Sequence, residues 1–123
     1  MDESTFKKIL DDFIKNTNHE YSTTHSKLCF FKIHRIYNRV VAGYGSKFGD
    51  VKVHEETKLI IDGNHRYIAY KLADFSFGKI SWCRNHSDVD KKISDIEIDY
   101  IEDWDKNNKE TIKFCSDDFL LDL

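Results

Sequence analysis

Seven consecutive residues in the middle of the chain have types and an order that suit the binding of an anion: Ile61, Asp62, Gly63, Asn64, His65, Arg66 and Tyr67. Gly63 lets the backbone turn tightly and approach a ligand closely, because it has no Cβ. If a helix begins here, its first amides and its dipole favour an anion. Arg66 adds a planar fork for phosphate oxygens, and His65 adds a donor whose charge changes near neutral pH. These residues predict a phosphate-binding turn.

Asp62 needs a different role, because a carboxylate repels a bare phosphate. We expect it to cap the helix, to orient His65 or Arg66, or to hold a magnesium ion beside the phosphates. An ordinary turn is the competing interpretation. Asp-Gly is common in turns, Asn64 is a good helix cap, and a histidine and an arginine in a first helical turn can simply be solvated.

The elements around this turn predict an α+β fold with a small mixed sheet and flanking helices. Apolar periodicity indicates helices at residues 3–16 and 65–74, and strands at residues 27–34, 51–54, 58–61, 79–84 and 96–100. Residues 55–57 are a hairpin-length connection. The strand at 58–61 is apolar on both faces and should lie centrally, with the strand at 79–84 beside it. Glycine density predicts a loop over residues 38–50, which a single helical turn could precede.

The size and composition indicate a single domain over residues 1–123. The chain is 40% hydrophobic and 14% aromatic, which is ample for a packed interior. Its core is predicted at about residues 27–84, with the opening helix before it and an acidic extension at 85–123. Three widely spaced cysteines argue against a disulfide framework or a zinc site. No apolar run is long enough for a membrane span, so we expect no membrane partner and a cytoplasmic location.

Charge is distributed unevenly along the chain. The formal net charge is −3, yet residues 21–54 carry six basic residues and one acidic residue, whereas residues 85–123 carry five basic and twelve acidic. A basic middle followed by an acidic tail suits a central anion site, or a nucleic-acid surface partly screened by the tail. Solvated faces that pair with one another would have the same composition.

Residues 59–73, with the sequence LIIDGNHRYIAYKLA, resemble the signature of the ParB/sulfiredoxin-like superfamily. Its members have an apolar strand, a D-G-x-H-R or G-x-R-R turn, and a helix with small residues. The strands predicted at 51–54 and 79–83 also lie where that family has strands, so the likeness covers about residues 27–84. It implies that Gly63, Asn64, His65 and Arg66 bind nucleotide phosphates.

The resemblance also narrows the chemistry. In sulfiredoxins the position between the glycine and the His-Arg pair is the catalytic cysteine, and here it is Asn64, so sulfiredoxin chemistry is not expected. The partition proteins of the family carry a further helix-turn-helix region, for which 123 residues leave no room. The D-G-N-H-R form is closer to that of a free serine kinase in the family. This implies phosphoryl transfer or nucleotide hydrolysis with ATP, ADP or CTP and magnesium.

In this interpretation Asp62, His65 and Arg66 are catalytic, and Asp62 holds the metal. The base that activates the acceptor is sought among Glu55, Glu56, His54 and His34, since none is singled out by spacing.

Two alternatives stay open. The family includes nucleases and toxin domains, and a toxin-type effector would bind nucleic acid through the basic stretch 27–52 and could have a protein partner. The other alternative is a non-catalytic nucleotide-sensing module.

Overall fold

The computed structural model describes residues 2–85 and 87–105. Within them the chain has the predicted α+β class, with three α-helices, a four-stranded mixed sheet and a pair of parallel strands. The elements follow in this order: α1 (Glu3–Asn16), β1 (Ser22–Thr23), β2 (Lys27–Cys29), α2 (Phe30–Arg39), β3 (Val51–His54), β4 (Leu59–Asp62), α3 (Asn64–Leu72), β5 (Lys79–Ser81) and β6 (Glu97–Asp99). Residues 106–123 of the predicted acidic extension lie outside the described part.

The four-stranded sheet has the order β1-β4-β3-β5. The predicted hairpin is confirmed as the antiparallel pair β3–β4, and β4 is central because it also pairs with β1 in parallel. The prediction that the strand at 79–84 lies beside β4 was wrong. β5 pairs with β3 in parallel instead, because β1 already occupies the other edge of β4 through the pairs Ser22–Leu59 and Thr23–Ile60. β2 and β6 form the separate parallel pair.

The predicted strand at residues 27–34 was wrong after its first three residues. Only Lys27–Cys29 is extended, and α2 follows from Phe30 to Arg39. Aromatic and β-branched residues favour strands, which explains the prediction. However, Phe30, His34 and Tyr37 share one helical face, and the ring of Phe6 from α1 contacts all three, with centroids 4.7–5.8 Å apart. Packing against α1 therefore stabilises the helical conformation of Phe30–Arg39 over a strand.

The predicted loop at residues 38–50 was also wrong for most of its length. α2 continues into a π-helical turn over Val40–Tyr44 and a 3-10 turn over Gly45–Phe48. The glycines are needed for this path, since Gly43 has a left-handed backbone with φ of 100°. These turns carry Phe48 and Gly49 to the start of α3, where their carbonyl groups accept hydrogen bonds from α3 side chains.

The core lies between the four-stranded sheet and the helices. Phe6, Leu10 and Ile14 of α1 are buried, as the helical spacing predicted, although Ile9 from the same set is exposed. Ile68 and Ala69 of α3 are buried too, and α3 packs against α2. This packing holds the first turn of α3 at the end of β4. None of the described helices is long and apolar enough to cross a membrane.

Candidate functional site

The predicted strand-to-helix turn is present, and Gly63 is the residue on which it depends. β4 ends at Asp62, and α3 begins at Asn64 with Gly63 as the N-terminal flanking residue at φ of 90°. A Cβ on Gly63 would lie 2.8 Å from Arg66 Nη2 and 3.0 Å from Arg66 Nε. Glycine therefore avoids backbone strain at this left-handed position and leaves room for the guanidinium group where it lies.

A cleft of about 350 Å³ opens at this turn. Residues 62–66 line it together with Lys32 and Ile36 of α2, and with Phe48 from the 3-10 turn. The amides of Asn64, His65 and Arg66 are the first of α3 and have no partner within the helix, so they supply hydrogen-bond donors at this end. The cleft thus combines a helix N-terminus with two flanking cations, Arg66 and Lys32.

Three further residues that sequence reasoning did not select complete the lining of the cleft: His25, Trp104 and Asp105. They lie about 40 residues from the turn on either side of it in the sequence. The Trp104 ring meets the His65 ring edge-on with centroids 5.3 Å apart, and the His25 ring lies 6.3 Å from that of His65. No local pattern connects these positions to the motif, so only the fold brings them together.

Asn64, at the position of the sulfiredoxin cysteine, is buried and joins α3 to the β1 region. Its side-chain oxygen accepts a hydrogen bond from the Thr23 hydroxyl, and its Nδ2 donates to Thr24 Oγ1 at 3.1 Å. The amide side chain therefore has a positioning role. Asn64 can contact a ligand in the cleft through its backbone N–H.

His65 was expected to be a donor whose charge changes near neutral pH, but its surroundings do not allow this. It is only 8% exposed, and its Nε2 accepts a hydrogen bond from the Cys29 amide at 2.9 Å. Burial first, then the charges of Lys32 and His25, lower the pKa of His65 to about 3. The ring is therefore neutral near pH 7, with its proton on Nδ1 because Nε2 is the acceptor. The expectation of a donor whose charge changes near neutral pH was therefore wrong, and the burial of His65 also argues against the solvated side chain of the competing interpretation.

The guanidinium group of Arg66 is held in place by hydrogen bonds from both of its terminal nitrogens. Nη1 donates to the Phe48 carbonyl at 2.7 Å, and Nη2 donates to Asp62 Oδ2 at 3.2 Å. Of the three roles considered for Asp62, the structure displays the orientation of Arg66, since α3 is preceded by Gly63 with no side-chain cap. The Asp62 side chain is 62% exposed at the mouth of the cleft.

Lys32 and Arg35 lie one helical turn apart on α2. The sequence analysis identified them only as part of the basic stretch 27–52 and did not select them individually. Arg35 pairs with Asp103 at 2.7 Å and with Asp105 at 3.0 Å, and Lys32 Nζ lies 3.7 Å from Asp105 Oδ1. The described end of the acidic extension therefore faces part of the basic stretch, directly beside the turn. Asp105 is 2% exposed, and the two cations offset the cost of burying its carboxylate.

The four candidate bases are not brought to the cleft in the part of the chain that the structure describes. Glu55 and Glu56 are in the β3–β4 connection, at the opposite end of β4 from Asp62. Glu55 accepts hydrogen bonds from the Tyr21 hydroxyl at 2.6 Å and from Lys58 Nζ at 2.8 Å, and its pKa is lowered, first by Lys58 and then by Tyr21.

The two histidines among these candidates are engaged elsewhere as well. His54 contacts Thr57 Oγ1 at 2.8 Å, and His34 stacks on the rings of Phe6 and Phe30. By contrast, His25 and Asp62 do line the cleft.

Among the described residues, no group of three or more histidine, cysteine, aspartate or glutamate side chains is arranged to hold a metal ion. Magnesium, however, is usually held by one or two carboxylates together with substrate phosphates. Asp62 provides one exposed carboxylate beside the anion-binding turn, so it fits a magnesium ion that arrives with the phosphates.

No protein-family model, curated protein or solved structure matches the chain.

Proposed function

We propose that the chain is a nucleotide-phosphate-binding enzyme of ParB/sulfiredoxin-like type that transfers or hydrolyses a phosphate in the cleft at the start of α3. The observation that carries the proposal is the convergence of the α3 N-terminus, Arg66 and Lys32 on one space of about 350 Å³. That volume lies within the roughly 300–1,000 Å³ typical of small-molecule sites. The resemblance of residues 59–73 to the superfamily motif supports the same conclusion.

The lining of the cleft suits the two halves of a nucleotide. The α3 amides and Arg66 provide donors and positive potential for phosphate oxygens. Ile36 and Phe48 provide an apolar and aromatic wall for a base, and an aromatic ring that stacks on a base contributes roughly 1–3 kcal/mol. His65, being neutral, orders the backbone at Cys29 and leaves phosphate binding to the cations.

Residues for the chemical step are available at the cleft. Phosphoryl transfer requires positioned phosphates, stabilisation of the developing charge and an oriented acceptor. Arg66 supplies charge stabilisation, and Asp62 would hold the magnesium ion that accompanies the phosphates. His25 lines the cleft with an exposed ring, which makes it the base that we assign to the acceptor.

The nuclease alternative is less favoured by the arrangement of the basic stretch. Lys32 and Arg35 pair with Asp103 and Asp105, and Lys52 lies over the Trp82 ring at 4.1 Å. An extended nucleic-acid backbone needs several cations that face it without acidic residues between them, whereas one nucleotide phosphate can be held by the α3 amides and Arg66.

Titration calorimetry with ATP, ADP and CTP in the presence of magnesium tests the binding. Arg66→Ala is expected to weaken affinity at least tenfold, about 1.4 kcal/mol. Arg84→Ala is the matched control, because Arg84 also pairs with one carboxylate, Asp90, at 3.4 Å but does not line the cleft. Equal affinity in both variants, or cleavage of DNA or RNA without nucleotide binding, would overturn the proposal.

Turnover separates an enzyme from a sensing module. Release of phosphate from the bound nucleotide should slow by about 10²-fold or more in His25→Ala, the usual size of a general-base contribution, while nucleotide affinity is retained. Saturable binding without phosphate release or transfer in the wild-type protein would instead identify a non-catalytic module.

A further inference from the structure

Residues 103–105, which we call the acidic hook, lie against two cations of α2, Lys32 and Arg35. Arg35 donates from Nη1 to Asp103 Oδ2 at 2.7 Å and from Nη2 to Asp103 Oδ1 at 2.8 Å. Nη2 also donates to Asp105 Oδ2 at 3.0 Å. This parallel fork is the geometry with which guanidinium groups bind carboxylates and phosphates alike. Arg35 and its neighbour Lys32 therefore form a built anion site, and the hook occupies it.

The hook also reaches into the cleft. Asp105 and Trp104 both line it, and Asp105 shares the lining with Lys32, to which its carboxylate is paired at 3.7 Å. A ligand whose phosphates extend from the start of α3 toward α2 would meet the Asp105 carboxylate. Since two anions cannot share the same cations without strong repulsion, the ligand and the hook must compete.

Most of the described contacts that hold the base of the hook are local along the chain, and one joins it to β2, from Cys29 Sγ to the Glu102 carbonyl at 3.4 Å. Asp99 Oδ1 accepts hydrogen bonds from the Ile101 and Glu102 amides at 2.9 and 3.0 Å, and Asp99 Oδ2 accepts from Trp104 Nε1 at 3.0 Å. Ile101 is 86% exposed, and Trp104 is 38% exposed at the rim of the cleft. The hydrophobic core is built from other residues, so displacement of the hook breaks polar and ring contacts at the cleft and leaves the core packed.

We propose that Lys32 and Arg35 form a second phosphate subsite, which the acidic hook occupies as an internal competitor until a ligand with two or more linked phosphates displaces it. The inference rests on the proposed function, since the first phosphate is assigned to the start of α3. The start of α3 and Lys32 line the same cleft, so linked phosphates bound at α3 extend toward the second subsite, whereas a single phosphate at α3 leaves the hook in place. The hook therefore selects for the length of the phosphate chain.

Trp104 provides a direct readout of hook position. The chain has two tryptophans, and Trp82→Phe leaves Trp104 as the only one. In this variant, titration with inorganic tripolyphosphate is expected to shift the Trp104 emission to longer wavelength, because the ring leaves His65 and enters water. Inorganic monophosphate is expected to leave the emission unchanged. An emission that stays constant while tripolyphosphate saturates the protein would refute displacement of the hook.

Removal of one hook charge gives the second test. Asp105→Asn in the same background should bind tripolyphosphate about tenfold more tightly, because the competitor at Lys32 and Arg35 is weakened. Asp95→Asn removes the same charge from an exposed position outside the cleft and should bind as the parent does. Unchanged or weaker binding in Asp105→Asn contradicts the inference. The emission experiment retains the native hook, so it decides the question even if Asp105→Asn does not fold.

The two proposals fail in different ways. Tripolyphosphate binding with a shift in Trp104 emission, but no binding of ATP, ADP or CTP, would reject the nucleotide function and retain the competing hook. Nucleotide binding with equal affinity in Asp105→Asn and its parent, and no change in emission, would retain the nucleotide function and reject the hook.

Discussion

Gly63→Ala changes the phosphate turn at its tightest point, and Gly43→Ala offers a matched comparison. Both glycines have a left-handed backbone, with φ of 90° at Gly63 and 100° at Gly43. A Cβ on Gly43 would meet nothing within 4 Å, whereas a Cβ on Gly63 would lie 2.8 Å from Arg66 Nη2. The two variants therefore share the backbone strain, and only Gly63→Ala displaces the guanidinium group.

The expected losses follow from these contacts. A left-handed alanine costs roughly 1–2 kcal/mol, which is the full effect expected for Gly43→Ala. In Gly63→Ala the displaced Arg66 also loses its charge-assisted hydrogen bond to the Phe48 carbonyl, which adds roughly 1.5–3 kcal/mol. The exposed pair with Asp62 adds roughly 0–1 kcal/mol. We expect Gly63→Ala to lower the free energy of unfolding by roughly 2–4 kcal/mol, because Arg66 can recover part of its bonding in a new rotamer.

Urea unfolding measures both variants. With a slope of roughly 2 kcal/mol per M, the midpoint should fall by roughly 1–2 M for Gly63→Ala and roughly 0.5–1 M for Gly43→Ala. Nucleotide affinity, measured by calorimetry below the unfolding range, should be lost in Gly63→Ala and retained in Gly43→Ala. Equal midpoints for the two variants would refute the placement of Arg66 over Gly63, and wild-type affinity in Gly63→Ala would refute the turn as a phosphate site.

The remaining predictions concern individual side chains at and away from the cleft. The pKa of buried His65 is lowered to about 3, below its value of about 6.5 in the unfolded chain, so the neutral ring stabilises the fold fully above pH 6.5. This stabilisation is lost as the pH falls from 6.5 toward 3, by roughly 1.4 kcal/mol per pH unit. Urea unfolding between pH 7 and pH 5 should show this slope, and His65→Gln should remove it. Asn64→Ala should lower the free energy of unfolding by roughly 1–3 kcal/mol, because the buried Thr23 hydroxyl loses its acceptor. An unchanged midpoint of urea unfolding would contradict the hydrogen bond that joins α3 to β1. Glu55→Gln should leave phosphate release unchanged because Glu55 lies at the far end of β4, and a large loss of turnover would restore it as the base.

Several elements could be predicted because their signals are local. The run before Asp62 is apolar on both faces, and a strand with that pattern must lie between two others, as β4 does. The hairpin connection at 55–57 and the alternation around Glu97–Asp99 are likewise properties of neighbouring residues. The turn at Gly63 follows from one residue type, because only glycine adopts its backbone without strain.

The errors arose where local preference and tertiary packing disagree. Residues 27–34 are rich in aromatic and β-branched types, so local preference favours a strand, yet Phe30 and His34 meet the Phe6 ring only if the chain is helical. Similarly, the surroundings of His65 are set by residues distant in sequence. Its ring is buried among groups from α2 and the Trp104 region, and no pattern within the motif indicates that its pKa is lowered.

The sequence by itself determined the strand-turn-helix, the glycine in its bend and the identities of Asp62 and Arg66 beside it, because these depend on residues within one helical turn of each other. Only the tertiary structure decided that Lys32 and Trp104 would share a cleft with that turn, that His65 would be neutral, and that Asp105 would lie on the same cations. These relations join residues about 30 to 70 positions apart, and they exist because packing of α1, α2 and α3 on the sheet closes those distances. Contacts across such separations depend on the free energy of the whole core, which no local spacing encodes.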